Sequence, residues 1–103
     1  MSDVTKGLRI SWARFDTSLR MGEGFSVDAY RELCDRLGEC AVAWREVECI
    51  PRLAANILAD ILPAMESVIT LYGDAEKPKI REAMYSIQEL IWECVAIDPG
   101  ELE

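Results

Sequence analysis

The sequence predicts an all-α fold, a single-domain antiparallel four-helix bundle, on three observations. Apolar residues recur at three- and four-residue steps in four separate segments. The connections between these segments are short and carry glycine or proline, which favours antiparallel neighbours in an up-down-up-down order. Finally, the chain has 103 residues and is 50% apolar, enough for one modest core without a disulfide or a structural metal.

The first helix is expected over residues 4–21, with Leu8, Trp12, Phe15 and Leu19 on one face and Gly22 and Gly24 closing it in a positive-φ conformation. The second is expected over 26–47. Ser26 is a good N-cap, because its hydroxyl can accept a free first-turn amide, and Asp28 suits the positive end of the helix dipole. Tyr30, Leu33, Cys34, Leu37, Ala41, Trp44 and Val47 form its inner face. Gly38 weakens that helix by about 1 kcal/mol relative to alanine and is expected to mark a close helix contact.

Pro51 in ECIP breaks the pattern and suits a first helical position, so a third helix is expected over 52–72. Its apolar stripe, Leu53, Ile57, Leu58, Ile61, Leu62, Met65, Val68, Ile69 and Tyr72, is the widest of the four, which suits a central helix. Pro63 removes one backbone hydrogen bond, so this helix should be kinked or split there. Gly73 and Asp74 open a fourth helix over 76–95, with Pro78 in its first turn and Ile80, Met84, Ile87, Ile91 and Cys94 inward. Residues 96–103 read as an acidic tail.

Charge and composition exclude several function classes. Eleven basic residues stand against 19 acidic ones, a net charge of -8. Such a surface repels phosphate backbones and anionic lipid, so neither direct nucleic-acid binding nor membrane binding is expected, and a basic protein partner is favoured. No segment reaches the roughly 20 apolar residues of a membrane span. The start MSDVTKGLRI reads as a native N-terminus without a signal peptide, which places the chain in the cytoplasm.

Cys34, Cys40, Cys49 and Cys94 form no CxxC pair, and the chain has no histidine, so the cysteines are expected as small buried thiols. Metal sites of helical bundles draw on inward Glu and His, and calcium loops have an Asp-rich spacing that is missing here. There is no GxSxG elbow, HExxH pair or Gly-rich phosphate loop. The expectation is a protein that is not an enzyme, with no catalytic residue, metal ligand or cofactor.

What remains is a pattern of acids. Asp28, Glu32, Asp35 and Glu39 recur at steps of four, three and four, which puts them on one side of the second helix. Arg36 can pair with Glu32, and Arg31 with Asp28 or Asp35, leaving the row under-neutralised. The fourth helix repeats the pattern with Glu82, Glu89 and Glu93, and no basic residue follows Arg81. Trp92 falls outside the inner series and is a candidate anchor; Phe25 and Tyr85 are weaker candidates, since core packing is the commoner role of an aromatic. Lys77, Lys79 and Arg81 read as a solvated helix start with an ion pair to Glu76 or Asp74.

The expected partner-binding set is therefore Asp28, Glu32, Asp35 and Glu39 as a steering face, extended by Glu89, Glu93 and Trp92. In kind, though not in residues, the chain resembles the small acidic helical immunity proteins of bacteria. That resemblance rests on size, missing catalytic groups and the one-sided acidic surface. It implies inhibition of a basic toxin or nuclease, and a phage-type inhibitor presenting carboxylates in place of phosphates is a related reading. The alternatives are a self-associating bundle, such as a homodimer sharing the Leu53–Tyr72 face, and an enzyme using cysteine or carboxylates.

Overall fold

The computed structural model describes residues 3–97, Asp3 as backbone alone, and the described residues form four α-helices and no strand. These are α1 (Asp3–Arg20), α2 (Val27–Ala43), α3 (Arg52–Ile69) and α4 (Lys77–Val95). The expected acidic tail falls mostly on residues 98–103, outside those described.

Hydrogen bonds between helices fix their directions. Near the end of α2, Cys40 Sγ donates to the Val4 carbonyl at the start of α1 at 3.6 Å, so these two helices are antiparallel. Just past α3, the Tyr72 hydroxyl donates to the Leu19 carbonyl near the end of α1 at 2.7 Å, so α1 and α3 are parallel. Likewise Cys94 Sγ of α4 donates to the Leu37 carbonyl of α2 at 3.3 Å. Successive helices thus alternate in direction, as the short connections predict.

The arrangement around the bundle is less simple. Both α1 and α4 pack against α2 and α3, whereas α2 and α3 stand diagonally across from each other. Residues 44–51 make that diagonal crossing. The α1–α2 and α3–α4 hairpins therefore pack with like-directed helices side by side. Every helix has two neighbours, so α3, despite its wide stripe, is not a central helix.

Several boundaries follow their predicted causes. Ser26 caps α2, its Oγ accepting from the Ala29 amide at 3.2 Å. At the end of α1 the Glu23 amide donates to the Ser18 carbonyl and the Gly22 amide to the Leu19 carbonyl, both 3.2 Å, with Gly22 at φ 71°. That pair of bonds is a Schellman closure, which needs the left-handed residue that glycine supplies without a Cβ penalty.

Three expectations are corrected. Helix α2 stops at Ala43 rather than 47: Trp44 leaves helical geometry while staying buried, and Val47 is 49% exposed. Glu46 and Glu48 carry the wrong charge to prolong a helix at its negative end. Pro51 is the N-cap of α3, not its first helical residue. Of the kink or split expected at Pro63, the split does not occur, since α3 is continuous from Arg52 to Ile69 with Pro63 inside it; Pro63 and Ala59 both lie on the exposed side, where water can satisfy the carbonyl that loses its amide partner. Gly38 marks no close contact, since a Cβ there would meet nothing within 4 Å.

The core collects the predicted faces: Leu8, Trp12, Phe15 and Leu19 of α1 with Leu33 and Leu37 of α2, Ile57, Ile61 and Met65 of α3, and Ile80 and Ile87 of α4. Leu53, expected inward, is exposed at the start of α3. Ser11 is buried in α1 and returns its hydroxyl to the Leu8 carbonyl at 3.1 Å. No buried side-chain nitrogen or oxygen among the described residues lacks a partner.

These backbone differences predict opposite effects of one substitution. Gly38→Ala should raise the stability to urea by about 1 kcal/mol, because it fills open space in a helix interior. Gly22→Ala should lower it by about 1–2 kcal/mol, because alanine must adopt a left-handed φ. Equal effects in urea melts of the two variants would contradict this account of the turn.

Candidate binding surface

The α2 row is where the spacing puts it. Asp28, Asp35 and Glu39 are exposed and Glu32 is half-buried; Glu32 and Glu39 stand on the shoulder of α2 that faces α1, and spacing sets Asp28 and Asp35 beside them towards the outward side. The expected Glu32–Arg36 pair does not form. Glu32 is held instead by Arg14 of α1, and Arg36 reaches forward to Glu39 at 2.7 Å. Nor does Arg31 pair with Asp28 or Asp35; neither of these two carboxylates has an ion pair among the described residues.

Beside the row runs a groove of about 350 Å³, lined by Val4, Gly7 and Ile10 of α1 and by Glu32, Arg36 and Glu39 of α2. Gly7 makes it: a Cβ at that position would stand 3.1 Å from Arg36 Cδ. Val4 and Ile10 give an apolar wall while the carboxylates supply the rim. Sequence reasoning passed over Gly7, Ile10 and Arg14. The available signal was their own step of three and four, which sets them on one side of α1, off the Leu8–Leu19 series.

The acids of α4 occupy a different place. Glu82 borders a cleft with Phe25, Tyr30 and Ser86, and Glu93 borders one with Ala41, Trp44 and Arg45, both between α4 and α2. Glu89 shares that side of α4 by its spacing. The two acidic rows therefore lie on opposite shoulders of α2. Lys79 forms the expected pair with Glu76, at 3.5 Å.

Of the aromatic candidates, Phe25 is half-buried and packs on Phe15 and Tyr30, with ring centroids 5.9 and 5.3 Å away. Trp92 is 61% exposed and Tyr85 71%, whereas Trp12 and Trp44 belong to the core. An open groove of about 430 Å³ separates α4 from α3 next to Tyr85, floored by Leu62, Ile69 and Met84.

The cysteines divide by environment. Cys40 and Cys94 are buried, Cys34 is half-buried and Cys49 is exposed, which corrects the expectation that all four are core thiols. Cys49 lies in the diagonal connection, where no helical period holds a side chain inward. Burial, reinforced by Glu39, pushes the Cys40 thiol up to about 11. Burial also pushes Cys94 up to about 12, with Cys40 and Glu93 adding to it. Cys34 is raised by burial as well, as is the neighbouring Tyr30 phenol.

No three thiols or carboxylates among the described residues converge to hold a metal ion, and no helix among them is long and apolar enough to cross a membrane. No protein-family model, curated protein or solved structure matches the chain.

In the folded protein, Cys49 should be alkylated first and Cys40 and Cys94 only on unfolding, as mass spectrometry of timed labelling would show. The raised thiols also set a sign for pH. They lose their protons later in the folded chain than at the ordinary 9.0, so the stability linked to them is intact below that pH and falls as pH climbs towards about 11–12. Urea midpoints of the Cys40→Ala/Cys94→Ala variant should decline less steeply above pH 9.0 than those of the parent. Parallel curves would refute the linkage.

Proposed function

We propose that the chain is a non-catalytic protein-binding module for a basic partner, an immunity or inhibitor protein acting by electrostatic complementarity and steric occlusion. The observation that carries this reading is the α1–α2 groove, where Glu32 and Glu39 edge an apolar wall of Val4 and Ile10. Lysine and arginine side chains need that combination, an apolar surface for the stem and carboxylates for the head. Arg36 already lies across Gly7 in this way with its guanidinium on Glu39. Exposed pairs of that kind contribute only about 0.2–1 kcal/mol, so an incoming cation can rearrange them.

Asp28 and Asp35 extend the negative row without internal compensation, and the net charge of -8 supplies a long-range field. Such a field orients a cationic protein and speeds its encounter. A toxin or nucleic-acid-processing enzyme with a basic active-site cleft is the partner this surface suits best. Glu89 and Glu93, on the far shoulder of α2, and Trp92, on the outward face of α4, lie away from this row.

Affinity capture of basic proteins tests the reading, with wild-type bait beside an Asp28→Lys/Asp35→Lys bait that breaks no ion pair. The captured partner, once purified, should bind the double variant at least about tenfold more weakly at low salt, a gap that narrows as salt screens the field. Both baits must retain the same helical content. Equal affinities at low salt would sink the proposal.

A further inference from the structure

Helix α4 carries two seams. One faces the core: Ile80, Ala83 and Ile87 buried, Leu90 partly buried, and Cys94 buried. The other faces outward: Pro78, Arg81, Tyr85, Gln88, Trp92 and Val95, at steps of three, four, three, four and three. Pro78, Tyr85 and Trp92 repeat every seven residues, with Val95 three further on, and an apolar heptad stripe of this kind is what a helix presents to another along its length. Five of the six outer residues are exposed, with Gln88 half-buried, and they include the two most exposed aromatics noted above, Tyr85 and Trp92. Arg81, Tyr85 and Gln88 border the open groove against α3, with Glu66 on its other side, while Tyr85, Trp92 and Val95 stay exposed.

We infer that this seam is a homodimer interface, two copies pairing antiparallel along α4. The chemistry of the seam is complementary to its own reverse. Antiparallel packing sets Pro78 against Val95, Arg81 against Trp92 and Tyr85 against Gln88 of the second copy, with the two-fold axis between Tyr85 and Gln88. Each pairing is favourable: an apolar contact, a guanidinium on an indole face, and a phenol within reach of an amide.

The flanking charges share this polarity. Lys77, Lys79 and Arg81 lie in the first half of α4 and Glu89 and Glu93 in the second, with Glu82 the one exception. Antiparallel approach brings opposite halves together, and Arg81 can then reach Glu89 of the other copy as well as its Trp92, while Glu82 comes within about a turn of the same Glu89 and opposes the pairing in part. Parallel approach would set like charges side by side. A cationic partner would satisfy Glu89 and Glu93 but leave the basic half of the seam opposed, so a second copy is the occupant that matches the whole face.

Sedimentation over about a hundredfold range of concentration should show a monomer–dimer equilibrium. Trp92→Ala, at an exposed site, should weaken it at least about tenfold. Arg81→Glu and Glu89→Arg should each be monomeric alone and dimeric when mixed, because only the mixture pairs opposite charges at both contacts. Circular dichroism verifies that each variant is helical, and Asp28→Lys/Asp35→Lys should dimerise like wild type, which separates this test from that of the α2 surface. A wild type monomeric throughout, a dimer indifferent to Trp92→Ala, or a mixture that fails to associate would each overturn the proposal.

Discussion

The contact of Phe15 with Phe25, edge to face at 5.9 Å between centroids, is the constraint on which the rest of the bundle depends. It folds the α1–α2 turn over the end of α1 and presents the Phe25 amide to the Glu76 carboxylate of the α3–α4 turn at 3.2 Å. The hydroxyl of Tyr72 ties the same turn to the Leu19 carbonyl. One aromatic cluster and two hydrogen bonds thus lock both hairpins at a common end. With that end fixed, α4 runs beside α2 in the same direction, bringing Glu82 near Tyr30 and Glu93 near Trp44. The outward face of α4 is set by the same register.

Most of the fold was legible because burial leaves a period. Leu8, Trp12, Phe15 and Leu19 state the inner face of α1 directly, and Ser26 and Gly22 mark their helix ends by groups that only those positions need. The diagonal placement of α2 and α3 was not legible. A helix that packs between two neighbours shows the same apolar stripe whichever two they are. Trp44 misled for a related reason: it is buried and in phase with α2, yet it sits at the cap, so the period extended the helix beyond its last helical residue.

The candidate surface was legible in its charges and not in its shape. Spacing along one helix places Asp28, Glu32, Asp35 and Glu39 together, but their partners come from tertiary structure. Arg14 is 18 residues from Glu32 and reaches it only because α1 and α2 form a hairpin. Once Glu32 and Glu39 are engaged, the uncompensated charge of the row reduces to Asp28 and Asp35, and the binding argument shifts from charge count to the groove that Gly7 opens. A glycine with a neighbouring helix at van der Waals distance is informative in a way that Gly38, facing open space, is not.

The separation of the two acidic rows bears on how the surfaces can be used. Were they adjoining, a partner bound to one would cover the other. Because α2 stands between the α1–α2 groove and the outer face of α4, occupancy of one leaves the other open. A dimer joined along α4 would hold two α2 rows apart on a single particle. Linking them makes the second encounter with a multivalent basic partner intramolecular, which can raise avidity without any new contact wherever the geometry lets both rows engage.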